Sequence, residues 1–216
     1  MRASSSPSLS TKRAIAGIRR LCCLGLGGQV AIPALLGELH ALIPSNNNFF
    51  LWAGPNQEVV NFYGEGDILQ SVPLYFSEFL DKREQDVVFT FSEVTRRNRK
   101  SEVTTTYESN LKVDRRTYER HDFYNALMRP HGIDLTLELK VFEHGRGLGM
   151  LKVPRQIGEA EFTDRDRILL EWIAPYAAHA LVPARADKQL VESDDRRLMI
   201  ATPAGEIQYF SPLACG

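Results

Sequence analysis

What this 216-residue sequence has least of is reactive or ligating machinery. Cysteine occurs three times, as the adjacent Cys22 and Cys23 and as Cys215. No Cys-x-x-Cys is present, which excludes a disulfide framework and a thiolate zinc site and suits a reducing, cytoplasmic compartment. The five histidines, His40, His121, His131, His144 and His179, are scattered and no HExxH spacing occurs. His121 and Asp122 are neighbours, so a helix turns them to different faces and they do not form a base with its orienting acid. A charge excess of one sign is missing too: 26 Lys and Arg stand against 27 Asp and Glu, a formal charge of −1. A chain this close to neutral lacks the electrostatic footprint of a stand-alone nucleic-acid binder. No run of about 20 uninterrupted apolar residues exists, which excludes a transmembrane helix. The glycines of Gly25-Leu26-Gly27-Gly28 have the wrong spacing for a dinucleotide fingerprint and follow no strand. These absences predict no catalytic residues, no metal, no cofactor and no enzyme.

What is present is an ordinary core-forming composition, 44% hydrophobic and 25% charged, enough for one α/β domain with short extras. Residues 1–12 are serine-rich at the start and are expected to be disordered. Lys12, Arg13, Arg19 and Arg20 precede the apolar Leu21–Leu36 stretch and could imitate a secretion signal. Gly25, Gly27, Gly28 and Gln29 interrupt that stretch, however, and no small-x-small cleavage site follows. Ile15, Ile18 and Cys22 recur at helical spacing, and a second helix is predicted from about Ala31 to Leu42, with Pro33 in its first turn. Residues 48–53 and 58–63 read as two strands across the turn Gly54-Pro55-Asn56-Gln57. Residues 67–82 and 116–128 look helical, while 83–117 is the least readable span. The clearest strand signal is Ile133 to Phe142, where Ile133, Leu135, Leu137, Leu139 and Val141 alternate with polar residues. Its leucine side is expected to face a core and its polar side to be wet. A turn at Glu143–Gly147 leads into a partner strand, 148–153. The last long helix opens at Thr163, with Asp166 three residues on in capping-box position.

The Arg96–Lys100 cluster could hold a phosphate and Cys22-Cys23 could respond to oxidants. A solvated loop and a buried core cysteine are the simpler readings of those two features. Near the end, Leu198–Ala201 and Ile207–Phe210 flank a turn and read as a hairpin, with Ser211-Pro212 as a helix start. That pattern is expected of a fragment of a longer protein.

Several stretches, taken in order, resemble the GAF-like regions that precede the DNA-binding helix-turn-helix in LuxR-type transcription regulators. They are Ile32-Pro33-Ala34-Leu35-Leu36 with His40 and Ile43-Pro44-Ser45; Phe50-Leu51-Trp52-Ala53-Gly54-Pro55; and Asp122-Phe123-Tyr124-Asn125 with Arg129-Pro130-His131-Gly132. The last are Phe162-Thr163-Asp164-Arg165-Asp166-Arg167 and Pro175-Tyr176-Ala177-Ala178-His179-Ala180-Leu181. The resemblance implies an α+β fold, a GAF-like antiparallel sheet flanked by helices, over residues 13–184. Residues 185–216 would form a linker and the beginning of a second unit, a β-hairpin of PAS-like or connector type. It also implies a signal-sensing domain controlling a DNA-binding unit outside this chain, and a homodimer. Two alternatives stay open: a module that binds a small-molecule effector, and a ligand-free dimerisation module. The Trp, Tyr and Asp set of lactone-binding relatives cannot be placed around Trp52, Tyr63 and Asp67.

For a pocket, the aromatic residues are the lead, since small-molecule sites are mostly apolar with a few polar tips. Trp52, Phe62, Tyr63, Tyr75, Phe76, Tyr118, Phe123 and Tyr124 are expected over one sheet face. The candidate ligand-binding set is Tyr63, Tyr75, Phe123, Tyr124 and Leu137.

Overall fold

The computed structural model describes residues 9–97, 99–182, 199–201 and 207–210. Helix α1, Leu9–Cys22, buries Ala14, Ile18 and Cys22 at four-residue spacing. It begins inside the stretch expected to be disordered, because Thr11 is already buried against the domain; residues 1–8 lie outside the described residues. Helix α2 runs Gly28–Leu39 and buries Ile32, Leu35, Leu36 and Leu39. Its start comes three residues before the expected Ala31, since Gly27 takes the positive φ of 78° at the N-cap. Pro33 therefore falls in the second turn, not the first.

Strands β1, Phe49–Ala53, and β2, Val59–Gly64, form the expected hairpin. The chain then breaks into short pieces where one helix was expected. A 3₁₀ turn spans Gly66–Ser71, helix α3 covers only Val72–Leu74, and a π-turn spans Tyr75–Phe79. Further on come a 3₁₀ turn at Arg83–Asp86 and helix α4, Phe91–Arg96. Strand β3, Glu102–Thr105, was hidden in the unreadable span. Helix α5, Arg115–Arg120, and a π-turn at Tyr124–Met128 split the predicted 116–128 helix in two. Gly132, at φ 67°, turns the chain into strand β4, Ile133–Glu143. Strand β5, Arg146–Gln156, and helix α6, Asp164–Leu181, complete the unit. The capping box of α6 is as predicted: Thr163 accepts from the Asp166 amide, and the Asp166 carboxylate accepts from the Thr163 amide.

The five strands form one antiparallel sheet in the order β2-β1-β5-β4-β3. One face is covered by α1, α2 and α6, with Phe50, Trp52, Leu137, Leu139, Val141, Leu151 and Val153 pointing into that core. Phe49, Leu51, Ile133 and Met150 point the other way, and the segment between β2 and β4 lies over them. Two expectations for β4 fail here. Ile133 does not share a side with Leu135, because a register shift between them turns Ile133 to the opposite face. The polar side of the strand is not wet either: Thr136, Glu138 and Lys140 are only 4%, 2% and 3% exposed beneath the covering segment.

This is the α+β architecture expected of the sequence, an antiparallel sheet flanked by helices. No described helix is long and apolar enough to cross a membrane. The chain divides at Val182, and residues 183–216 form a separate unit. In it β6, Met199–Ala201, pairs antiparallel with β7, Ile207–Phe210, giving the hairpin the sequence predicts. Its turn, the preceding linker, the Ser211-Pro212 helix start and Cys215 lie outside the described residues.

Candidate functional site: a cavity on the second face of the sheet

The two faces of a strand are read by alternate residues. On β1 and β5, Phe49, Leu51 and Met150 supply an apolar floor; on β4 the same face carries Thr136 and Glu138. The covering segment adds Ile68, Val72, Tyr75, Val88, Phe91, Tyr118, Phe123, Leu127 and Met128. Together they line a cavity of about 90 Å³. A second chamber of about 320 Å³ shares Val94, Asn110, Glu138 and Met150 with it and is otherwise lined by polar side chains, among them Arg97, Glu102, Ser109 and Lys140.

Glu138 stands at the common wall. Its Oε1 accepts from Thr136 Oγ1 at 2.8 Å, Thr106 Oγ1 at 3.0 Å and Lys152 Nζ at 3.0 Å. Its Oε2 accepts from Asn110 Nδ2. Lys152 lies directly across the β4–β5 ladder from Glu138, and cross-strand partners of opposite charge attract. A carboxylate at this depth is tolerable because all these donors converge on it.

Glu84, on the Arg83–Asp86 turn, is the second buried acid of the first chamber. Its Oε1 accepts from the Asp81 amide at 3.0 Å, and its carboxyl accepts a hydrogen bond from the Tyr75 hydroxyl. Burial pushes its pKa up to about 7, against the pull of those two hydrogen bonds and of the Lys152 charge. Tyr75 is held well above the ordinary phenol value by burial and by Glu84, and Tyr118 by burial. In the second chamber Lys140 donates to the Arg97 carbonyl and lies 3.7 Å from Glu102; burial lowers its pKa.

Of the five residues the sequence singles out, Tyr75 and Phe123 line the first chamber. Tyr124 is buried behind them, its ring 5.3 Å from that of Tyr118, and is not in the lining. Tyr63 and Leu137 lie on the other face: Tyr63 is opposite Phe50 on β1 and packs, like Leu137, with the helix-side core. The expectation that all the aromatics share a face fails for Trp52 as well, which stacks edge-on with Phe50 at 4.7 Å on the helix side.

Glu138, Lys152, Thr106, Asn110 and Glu84 escape sequence reasoning. Glu138 looks like any solvent-side residue of an alternating strand. Closing the hairpin at Glu143 and Arg146 without a bulge would set Glu138 opposite Leu151. The register shift between Val141 and Phe142 is what brings Lys152 across from it.

The other sequence candidates have structural roles. Cys22 is buried and burial pushes its thiol up to about 12, the opposite of a reactive thiolate; Cys23 is exposed. Within the Arg96–Lys100 cluster, Arg96 donates to the Asn56 carbonyl. Arg97 donates to the Ser109 carbonyl and lies 3.5 Å over the Phe89 ring. His121 Nδ1 accepts from the Phe123 amide, and Asp122 pairs with Arg83.

No protein-family model matches the chain, and neither does any curated protein sequence. Solved structures do. The phycoerythrobilin-bound GAF domain from a cyanobacterial phytochrome superposes with a TM-score of 0.51 at 13% identity, over 81% of this chain and 95% of that one. The phycocyanobilin-bound GAF domain from a cyanobacterial phytochrome gives 0.52 at 13%, over 81% and 94%. The N-acylhomoserine lactone-dependent LuxR-family transcription factor CepR2 from Burkholderia cenocepacia gives 0.52 at 12%, over 82% and 99%. At such identities the likeness is one of fold, and the fold is GAF-like.

Proposed function

We propose that residues 9–182 are the signal-sensing domain of a LuxR-family transcription regulator, binding a small-molecule effector in the cavity on the second sheet face. The observation that carries this reading is the cavity itself: a mostly apolar chamber with a few polar groups, chiefly the wall around Glu138, and Glu84 and Asp134. Its tyrosines are far from ionising, and its paired carboxylate is held by four donors, which suits binding rather than turnover. Bilin-bound and lactone-dependent proteins of the same fold are compatible with it. A chamber of about 90 Å³ is smaller than the roughly 150 Å³ cavity that accepts benzene. A larger effector therefore has to displace the segment between β2 and α4. That segment is built of single turns and makes few regular backbone ladders, so it is the part of the domain that moves at least cost. Displacing it is how effector binding would bias two states of the domain.

The regulator acts as a homodimer and reaches DNA only through a helix-turn-helix outside this chain. Ile168 and Trp172, one turn apart on α6 and 44% and 52% exposed, support pairing of α6 between two copies. Trp172→Glu should then shift light scattering toward monomer, and a wild-type chain that is monomeric at high micromolar concentration overturns the pairing.

The test of the cavity uses indole as probe. Saturating indole should raise the Tm of the full chain by mass action. Met150→Trp, which fills the shared wall of the two chambers, should abolish the rise while leaving the chain folded. Absence of any rise in the wild type, with indole and with smaller apolar probes alike, or a rise unaffected by Met150→Trp, overturns the reading.

A further inference from the structure

The side chains that line the first chamber include three carboxyls, Glu84, Asp134 and Glu138, and one ammonium, Lys152. Two of the carboxyls already have a cation. Glu138 holds Lys152 at 3.0 Å, and Asp134 holds Arg115 Nη2 at 2.8 Å. Glu84, 3% exposed, has the Tyr75 hydroxyl and the Asp81 amide, and no Lys, Arg or His nitrogen within 4.0 Å among the described residues. When it ionises, the chamber carries one negative charge that no ion pair offsets, inside walls that are mostly apolar.

Taking the cavity as the effector site, we propose that it accepts a compact apolar molecule bearing a protonated amine, with Glu84 as the counter-ion of that amine. The chemistry follows from what each class of head group would meet. An anion adds a second charge of the same sign where water is scarce, and the one ammonium in reach is already spent on Glu138. A neutral alcohol or amide leaves the Glu84 charge as it was. An ammonium offsets it and adds charge-assisted hydrogen bonds to a carboxylate that Tyr75 already orients. The rings of Tyr75, Tyr118 and Phe123 among the walls give an ammonium aromatic surfaces it is attracted to. The volume sets the size, a body of a few carbons on the undisplaced segment.

The preference is tied to proton binding. Glu84 titrates at about 7, and the groups facing it are the Tyr75 hydroxyl, the Asp81 amide and carboxyl, and Lys152, with the last neutralised by Glu138. A protonated Glu84 offers an ammonium nothing, so amine affinity should fall about tenfold per pH unit well below that pKa.

The experiment is calorimetric titration of the full chain with 3-methylbutylamine, 3-methyl-1-butanol and 3-methylbutanoate, three probes of one shape and different charge. At pH 8 the amine should bind at least tenfold more tightly than the alcohol, and the carboxylate should not bind. At pH 6 the amine's advantage should shrink. Glu84→Gln keeps the side-chain shape and the hydrogen bond to Tyr75; it should erase the amine's advantage while leaving alcohol binding in place, which also reports that the pocket is folded. An alcohol or carboxylate that binds as well as the amine overturns the proposal, as does an advantage that survives Glu84→Gln. If indole binds and the amine does not, the amine proposal fails and the cavity stands. If none of the four probes binds, the cavity reading fails with it.

Discussion

The two faces of the central sheet are built from the same strands and solve opposite problems. On the helix side, side chains from β1, β4 and β5 meet three helices, and Leu35, Leu36, Leu137, Leu139 and Leu151 are wholly buried. On the cavity side the same strands meet single turns, three short helices and π-turns, and polar groups replace leucine on β4. Long helices present continuous apolar stripes that interdigitate with a sheet to native density. Short turns have no stripe to offer, so they leave space and must satisfy their own backbone and that of the strand edge with side chains. Glu84, Glu93 and Glu108 do that here, accepting from the Asp81, Thr90 and Thr105 amides. The contrast teaches where this domain keeps its stability and where it has room for a ligand.

The largest effects should come from breaking the filled side. Leu139→Ala, at a fully buried position under α6, is expected to cost about 2–5 kcal/mol, read as a drop in the denaturation midpoint. Leu51→Ala, on the cavity floor, should cost toward the lower end of that range, because the space it opens joins an existing chamber. Equal losses at the two positions would erase the distinction between the faces. The next largest effect is on the polar wall. Glu138→Ala strips the partner from Lys152, Thr106, Thr136 and Asn110 and should cost about 3 kcal/mol, with part of the penalty relieved because Lys152 is a quarter exposed. Replacing the pair together, Glu138→Leu with Lys152→Met, should recover most of that stability and leave the amine preference, which rests on Glu84, in place. A double variant as unstable as the single one would mean that the Thr106, Thr136 and Asn110 donors left by Glu138, and not the unpaired charge of Lys152, set the cost.

The helix side was legible in the sequence and the cavity side was not, and the reason is the same contrast. The stripe of α2, the Thr163–Asp166 box of α6 and the alternation of β4 are repeating patterns that one residue after another reinforces. They were enough to place the hairpins, the closing helix and the class of fold. The cavity side is specified by singular features. A bulge turns Ile133 over, another sets Glu138 against Lys152, and the π-turns at Tyr75–Phe79 and Tyr124–Met128 break what periodicity reads as whole helices. Period-two reasoning then sent Glu138 to solvent. The choice of Tyr63 and Leu137 as lining followed from treating aromatic content and the leucine side of β4 as belonging to one face. Phe123 is legible because only the Arg129–Gly132 turn joins its stretch to β4, which makes the two pack together; Tyr75 follows only as a wall from the other half of the domain.

The two faces should also separate by pH. Glu84 is the cavity-side group with a pKa raised from 4.5 to about 7, so the folded chain holds that proton more tightly than the unfolded chain does. Its contribution is fully present below about 4.5 and is lost as pH rises through about 7, a loss on the order of 3 kcal/mol. Urea titrations at pH 5 and pH 8 should show this fall in the wild type and a flatter profile in Glu84→Gln. Leu139→Ala should lower both curves in parallel. A wild-type profile no steeper than that of Glu84→Gln would mean that the carboxyl is already paired or solvated.

The smallest test compares two caps of the same design on opposite faces. Thr90 caps α4 with Glu93 on the cavity side, and Thr163 caps α6 with Asp166 on the helix side. Either Thr→Ala change removes one side-chain acceptor for an otherwise unpaired amide, worth about 1 kcal/mol. The readouts should nevertheless differ. Helix α6 is 18 residues long and its inner face is part of the main core, so fraying its start is coupled to global unfolding. Thr163→Ala should lower the Tm and speed amide exchange across the whole sheet. Helix α4 is six residues long and bounds the chamber through Phe91 and Val94. Its opening can occur while the helix-side core stays intact, because local units open at their own free energy. Thr90→Ala should therefore speed exchange in residues 87–97 and the Lys112 amide bonded to the Val87 carbonyl, with little change in Tm. Exchange that rises uniformly in Thr90→Ala would show that the covering segment unfolds only with the whole domain, and that no displacement of it is available to admit a ligand.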